Sequence, residues 1–210
     1  STPSAVRRAA ITPSASVSPL DAVAAEIAAC KRCVLHEGRT NTVPGQGTPH
    51  PEILFVGEAP GRDEDEQGLA FVGRAGQLLT KMIEAMGFSR DDVFIANINK
   101  CRPPENRKPT REEMDTCLPF LKRQIAILKP KVIIAMGSTA VEGLVPMPEG
   151  ETISKVRGRW LVFEGIPLMP TYHPAYLLRN PAMKRPVWED LKAVLLHLGH
   201  PIPAVKPESR

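Results

Sequence analysis

The chain reads as an α/β protein with a mostly parallel sheet covered on both faces by helices, and three observations lead there. Short continuous apolar runs at 53–56, 93–98 and 131–136 alternate with longer segments of helical periodicity, the pattern of strands buried on both faces and joined by crossover helices. With 42% apolar residues in 210, the chain can fill one core, and a single domain is expected over 18–198. The 22 prolines gather at both ends and around Pro103, Pro104 and Pro109, which marks 1–17 and 199–210 as tails and leaves the periodic segments unbroken.

The elements follow in order. Ser18, Pro19 and Asp21 supply an N-cap, a first-turn proline and an acidic first turn, and Leu20, Val23 and Ile27 form the apolar stripe of the helix they open. It runs into Cys30, and a polar, glycine-rich linker over 36–51 leads to the strand at 53–56. The segment 57–76, GEAPGRDEDEQGLAFVGRAG, is expected as a long loop, after which Leu78, Leu79, Met82, Ile83 and Met86 share one helix face. The strand at 93–98 carries Asn97, Asn99, Lys100 and Cys101 at its carboxyl end. Thr110 and Glu113 form a capping box for a helix with Met114, Leu118, Leu121, Ile125 and Leu128 on one side. A strand at 131–136 is followed by a short helix from Gly137 and Ser138, and 160–163 with 166–169 make a hairpin or a fourth strand ending at Tyr172 and His173. Val187, Leu191, Val194, Leu195 and Leu198 mark the last helix.

Ligands of such sheets bind outside the carboxyl ends of the strands. The loop after Val56, Asn97, Gly137 and His173 all fall there, so four separated segments are expected to converge on one site. The loop 57–76 holds five glycines, Pro60, Phe71 and the carboxylates of Glu58, Asp63, Glu64 and Asp65, among others. Those carboxylates disfavour a phosphate cradle, and neither a Walker sequence nor GxGxxG is present. A neutral ligand, or one whose charge lies elsewhere, fits better; the bland alternative is a solvated acidic loop.

Twenty-seven basic against 23 acidic residues give a net charge of +4, which admits nucleic acid as a partner without requiring it. No apolar run reaches the roughly 18 residues of a membrane span, and the first twenty residues lack a secretory apolar segment, so a cytoplasmic protein is expected. Arg7, Arg8 and the serines of 1–17 faintly resemble a transit peptide, against which a disordered tail is the reading taken.

Four cysteines in such a chain point to a metal or cluster rather than disulfides. Cys30 and Cys33 are two residues apart, a spacing that serves one metal site, while Cys101 and Cys117 lack a knuckle. Zinc and an iron-sulfur cluster both remain open, with the irregular second pair tilting towards iron-sulfur. His173, in YHPAYLL, is held at a loop edge facing the expected crevice. Asn97 offers both a donor and an acceptor, as reading a base edge requires. Phe71 is either core or a stacking face for a base. Lys100, Arg102, Arg107, Lys108 and Arg111 form one basic cluster, and Arg179, Lys184 and Arg185 another, placed to contact phosphates on either side of a bound nucleotide or to be solvated loops.

GEAPG after a strand, FVGRAGQLL, NINKCRPPENR, HPAYLL and the four-cysteine pattern together resemble the family 4 uracil-DNA glycosylases, the iron-sulfur branch of their superfamily, over about 25–198. The resemblance implies a three-layer α/β/α fold around a four-stranded parallel sheet, a mainly structural [4Fe-4S] cluster on Cys30, Cys33, Cys101 and Cys117, and removal of uracil from single- or double-stranded DNA by a monomer at the nucleoid. By motif position it implies that Phe71 stacks on uracil, Asn97 reads its polar edge, Gly57, Glu58 and Ala59 border the base and sugar, His173 faces O2, and Glu64 crowds C5 to disfavour thymine. Other branches place a tyrosine where this chain has Gly61. The water-activating aspartate of the best-studied branch is replaced by Ala59, which passes the base role to Glu58 or a backbone carbonyl. No histidine occurs in 102–111, so the covalent trapping of a related branch is not expected. Leu177 is the candidate wedge for the vacated base stack. The competing readings are a cysteine-ligated nucleic-acid-binding module without catalysis and an electron-transfer protein, and both leave Glu58, Asn97 and His173 converging for no purpose.

Overall fold

The computed structural model describes residues 17–147 and 150–204; the expected N-terminal tail lies outside them except for Val17. At the centre is a sheet of six strands, β1 (Gln46–Gly47), β2 (Ile53–Gly57), β3 (Phe94–Asn97), β4 (Val132–Met136), β5 (Leu161–Phe163) and β6 (Ile166–Thr171), in the order β1-β3-β2-β4-β6-β5. The inner four, β3-β2-β4-β6, are all parallel. They are the expected four-stranded sheet, and β1 and β5 add an antiparallel strand at each edge.

The continuous apolar runs have a simple cause. Ile53 and Phe55 point to one face and Leu54 and Val56 to the other, and both faces are core, so alternation with polar residues has no place. Helices α4 (Arg74–Ala85), α8 (Pro174–Arg179) and α9 (Lys184–His197) cover the first face through residues such as Leu79, Ile83, Leu191 and Val194. Helices α5 (Arg111–Leu128) and α6 (Ser138–Leu144) cover the second with Met114, Leu121, Ile125 and Val141. Helix α1 (Pro19–Ala29) packs Val23 and Ile27 on Phe120 and Cys117 of α5. Both caps read from the sequence form: Asp21 N donates to Ser18 Oγ, and Thr110 and Glu113 exchange bonds between side chain and backbone.

Three expectations change. The loop 57–76 contains a helix, α3 (Arg62–Gln67), and α4 starts at Arg74 rather than Gln77. Helix α3 is almost wholly charged, so it has no apolar period to reveal it; Asp63, Glu64 and Asp65 sit in its first turn, where carboxylates favour a helix. The acidic residues are not simply solvated either, since Asp65 is buried and accepts from the backbone N–H groups of Thr40 and Asn41. The expected C-terminal tail is anchored at His200, whose Nε2 lies 2.6 Å from Glu52 Oε2 and whose ring meets Phe88 edge-on. Two short helices, α2 (Leu35–Gly38) and α7 (Ile153–Val156), arise where no periodicity marks them. No helix among the described residues is long and apolar enough to cross a membrane.

Candidate active site

The four parallel strands end on a cavity of about 660 Å³. Strand β2 leads to Glu58, Ala59, Gly61, Glu64 and Phe71, β3 brings Asn97, β4 leads to Gly137 and Ser138, and β6 to Tyr172 and His173. The convergence expected from the strand ends is thus present. The β2–β3 ladder continues past the strands, Ile98 N donating to Gly57 O and Asn99 N to Glu58 O, which locks the start of the loop to the residue beside Asn97.

Phe71 is 6% exposed and adopts φ 53, a left-handed conformation rare for a bulky residue. Its ring centroid lies 5.6 Å from that of His173. Gly57 floors this corner: a Cβ there would stand 2.5 Å from both Phe71 Cζ and Asn97 Oδ1. Asn97 is buried, and its Oδ1 has no hydrogen-bond partner. The Glu64 carboxylate lines the cavity while its Oε1 accepts from Val72 N and Gly73 N, each at 2.8 Å, so it holds the loop that carries Phe71.

His173 caps α8, its Nδ1 accepting from Ala175 N at 3.1 Å. That bond leaves the ring proton on Nε2. Part of the residue faces the cavity, yet burial, reinforced by the nearby Arg179 charge, lowers its pKa to about 4. The site therefore holds a neutral imidazole with its Nε2–H as the available donor. Behind it, Thr171 Oγ1 donates to Asp190 Oδ2 at 2.6 Å and Arg157 forks onto the same carboxylate, securing the end of β6.

A second, small cavity is lined by all four cysteines together with Ile27, Arg32, Arg39 and Lys100. Arg39 Nη1 donates to Cys101 Sγ at 3.2 Å and Lys100 N to Cys117 Sγ at 3.3 Å. Burial raises the Cys101 thiol and pushes that of Cys117 up to about 11. At Cys30 burial is outweighed by the hydrogen bonds and charge of Arg32, and its pKa falls. Among the described residues no three His, Cys, Asp or Glu side chains are grouped to hold a single metal ion. Lys100 joins the two cavities: it is 1% exposed, its Nζ donates to Asn97 O at 2.9 Å, and burial lowers its pKa to about 8.

Comparison with known proteins agrees with this layout. The profile of the uracil DNA glycosylase superfamily matches residues 44–192. A type-4 uracil-DNA glycosylase of Sulfurisphaera tokodaii is 47% identical over 83% of this chain and 83% of its own. The chain belongs to the type-4 branch of the uracil DNA glycosylase superfamily. Type-4 uracil-DNA glycosylases of Thermotoga maritima (46%, covering 82% of this chain and 91% of the relative) and Archaeoglobus fulgidus (43%, 83% and 91%) are also similar to it.

The residues expected to meet DNA in this type-4 chain are more dispersed. Arg107 and Arg179 line the main cavity, Arg107 in a bidentate pair with Glu113. Arg102 lines an adjoining open cleft beside Arg62 and Arg74, and Lys108 is paired with Glu142. Lys184 and Arg185 are exposed at the start of α9, away from the cavity wall. Leu177 is a correction: it is 1% exposed and packed in the core, whereas Leu178 is 39% exposed. Successive helical residues turn by about 100°, so only one of the two leucines of α8 faces the interior. The sequence reading passed over Tyr176, Ser154 and Asn106, which also line the cavity. Ser138 had a signal in the Gly137–Ser138 helix start after a buried strand; Ser154 sits on the unmarked α7 and had none.

Proposed function

We propose that this protein hydrolyses the N-glycosidic bond of deoxyuridine in DNA, releasing uracil and leaving an abasic site for base excision repair. The observation that carries this reading is the buried, partnerless Oδ1 of Asn97 beside the Phe71 ring. A buried acceptor left unpaired costs about 1–3 kcal/mol, and uracil answers it: N3–H donates to Oδ1 while O4 accepts from the amide nitrogen. Cytosine presents the opposite polarity at both positions and leaves the amide opposed.

Uracil stacked in a duplex is out of reach, so the nucleotide is extruded at a cost of a few kcal/mol. Phe71 supplies the stacking face, Gly57, Glu58 and Ala59 border the base and sugar, and Glu64 stands at C5. Leu178, the exposed leucine of α8, takes the wedge role. As the bond breaks, positive charge develops on the sugar and negative charge on O2. The neutral His173 donates from Nε2 to O2, and one such preorganised donor contributes on the order of 3 kcal/mol. Water then attacks the sugar carbon, positioned by Glu58 because Ala59 has no polar side chain.

Cys30, Cys33, Cys101 and Cys117 would hold a [4Fe-4S] cluster. They surround one cavity rather than closing on a single ion, and the buried Cys117, with a pKa pushed up to about 11, needs a strong positive centre to stand as a thiolate. Held by these thiolates, the cluster would tie the end of α1 and the turn after it to the loop after β3 and to α5. Arg102, Arg107, Lys108, Arg179, Lys184 and Arg185 serve the phosphates of a single- or double-stranded substrate. In this reading the enzyme acts as a monomer in the cytoplasm, at the nucleoid.

The test is incubation of the iron-loaded protein with labelled DNA carrying one uracil, followed by alkali. Cleavage at uracil and not at a thymine control, lost in His173→Ala, is expected. Intact DNA from a folded, iron-loaded sample would replace this reading with that of a non-catalytic binding module.

A further inference from the structure

We infer that Arg90 is a positioning residue for base recognition, acting through the backbone of Phe71. The inference rests on the cavity being the base site.

Phe71 holds its ring against Gly57 and Asn97 only because its backbone takes the left-handed conformation, which a bulky residue adopts only when its surroundings impose it. Arg90 imposes it from behind the cavity. Its Nη2 donates to Ala70 O at 2.7 Å, and its Nη1 donates to Phe71 O and to Thr80 Oγ1, both at 3.1 Å. Thr80 Oγ1 in turn donates to Gly76 O. On the other side Gly76 closes the clamp, for a Cβ there would lie 1.9 Å from Phe71 O. The Phe71 carbonyl is thus trapped between the first turns of α4 and a guanidinium fork.

The fork itself is fixed. Arg90 opens a tight turn, Arg90–Asp92, capped by reciprocal bonds between Ser89 and Asp92. That turn leads directly into β3, whose far end is Asn97. One short segment therefore sets both the stacking ring, through Arg90, and the reading amide, through the strand. Glu64 braces the following residues, Val72 and Gly73, from the cavity side, so the loop carrying Phe71 is held at both edges.

The experiment measures the inhibition constant of free uracil and the single-turnover rate on a uracil oligonucleotide for five full-length, iron-loaded proteins: wild type, Arg90→Met, Arg90→Lys, Phe71→Ala and Phe71→Ala/Arg90→Met. Melting temperatures are recorded alongside. Arg90→Met is expected to weaken uracil binding about tenfold, and Arg90→Lys, which keeps the charge and one donor nitrogen but loses the fork, by less. In the Phe71→Ala background the same change is expected to alter uracil binding by less than about twofold, because its target is gone. Equal weakening in both backgrounds, or none in the wild-type background, would overturn the inference, since a general loss of stability does not depend on the ring. If Arg90→Met does not fold, Arg90→Lys is carried through the same cycle with the same expectation. A wild type that leaves uracil-DNA intact would instead remove the base-site reading, and the clamp with it.

Discussion

His173 should stay neutral in the folded protein down to about pH 4, because burial and the Arg179 charge both disfavour the imidazolium; its ordinary value is 6.5. Between those values the unfolded chain binds a proton that the native protein refuses. By linkage the native state is undiminished above pH 6.5 and loses stability as pH falls from there towards 4. At pH 4.5 the difference amounts to about 2.5 kcal/mol for this one group. His173→Gln keeps a donor but cannot titrate. Urea unfolding of wild type and His173→Gln at pH 7.5 and 4.5 should therefore show the wild type losing about 2.5 kcal/mol more than the variant. The same neutrality implies no inflection from His173 in the single-turnover rate between pH 5 and 8, whereas His173→Ala, which removes the O2 donor, should be slower by about 100-fold. Nitrogen NMR of the ring should report the Nε2–H tautomer, as the bond from Ala175 N to Nδ1 requires. A His173 midpoint at or above pH 6, or equal acid losses in wild type and His173→Gln, would refute the neutral-donor argument.

Gly57→Ala places a methyl 2.5 Å from Phe71 and Asn97, and should raise the uracil inhibition constant at least about tenfold, read by competition assay. Asn97→Asp should admit cytosine, measured as alkali-labile cleavage of a cytosine-containing strand; complete retention of uracil selectivity would count against Asn97 as the reader. Leu178→Ala should slow reaction on duplex far more than on single strands, while Leu177→Ala should instead lower stability by about 2–4 kcal/mol, seen as a shifted denaturation midpoint. Glu58→Gln should reduce the single-turnover rate by at least about tenfold, and an unchanged rate would move the water to a backbone carbonyl.

Much of this molecule is visible before folding. The runs at 53–56, 93–98 and 131–136, the Ser18 and Thr110 caps and the periodic helices are all properties of residues near one another in the chain, and each depends on burial or capping chemistry that a local pattern records. From them follow the parallel sheet, the strand-end site, and Asn97, Phe71 and His173 as its members. Other features had no local trace. The choice between Leu177 and Leu178 depends on which side of α8 meets the core. The helix at Arg62–Gln67 is stabilised by its charges rather than by an apolar stripe. His200 has the local surroundings of a tail, and only the fold brings Glu52 and Phe88 beside it. Arg90 and Lys100 are one basic residue among many along the chain, and only packing shows one gripping Phe71 and the other spanning from the cysteines to Asn97. Periodicity and capping are written at short range, so the sequence alone determined the layers and the ends of the strands. Which side chain faces the cavity and what holds it there depend on contacts between segments distant in sequence, and the tertiary structure decided those.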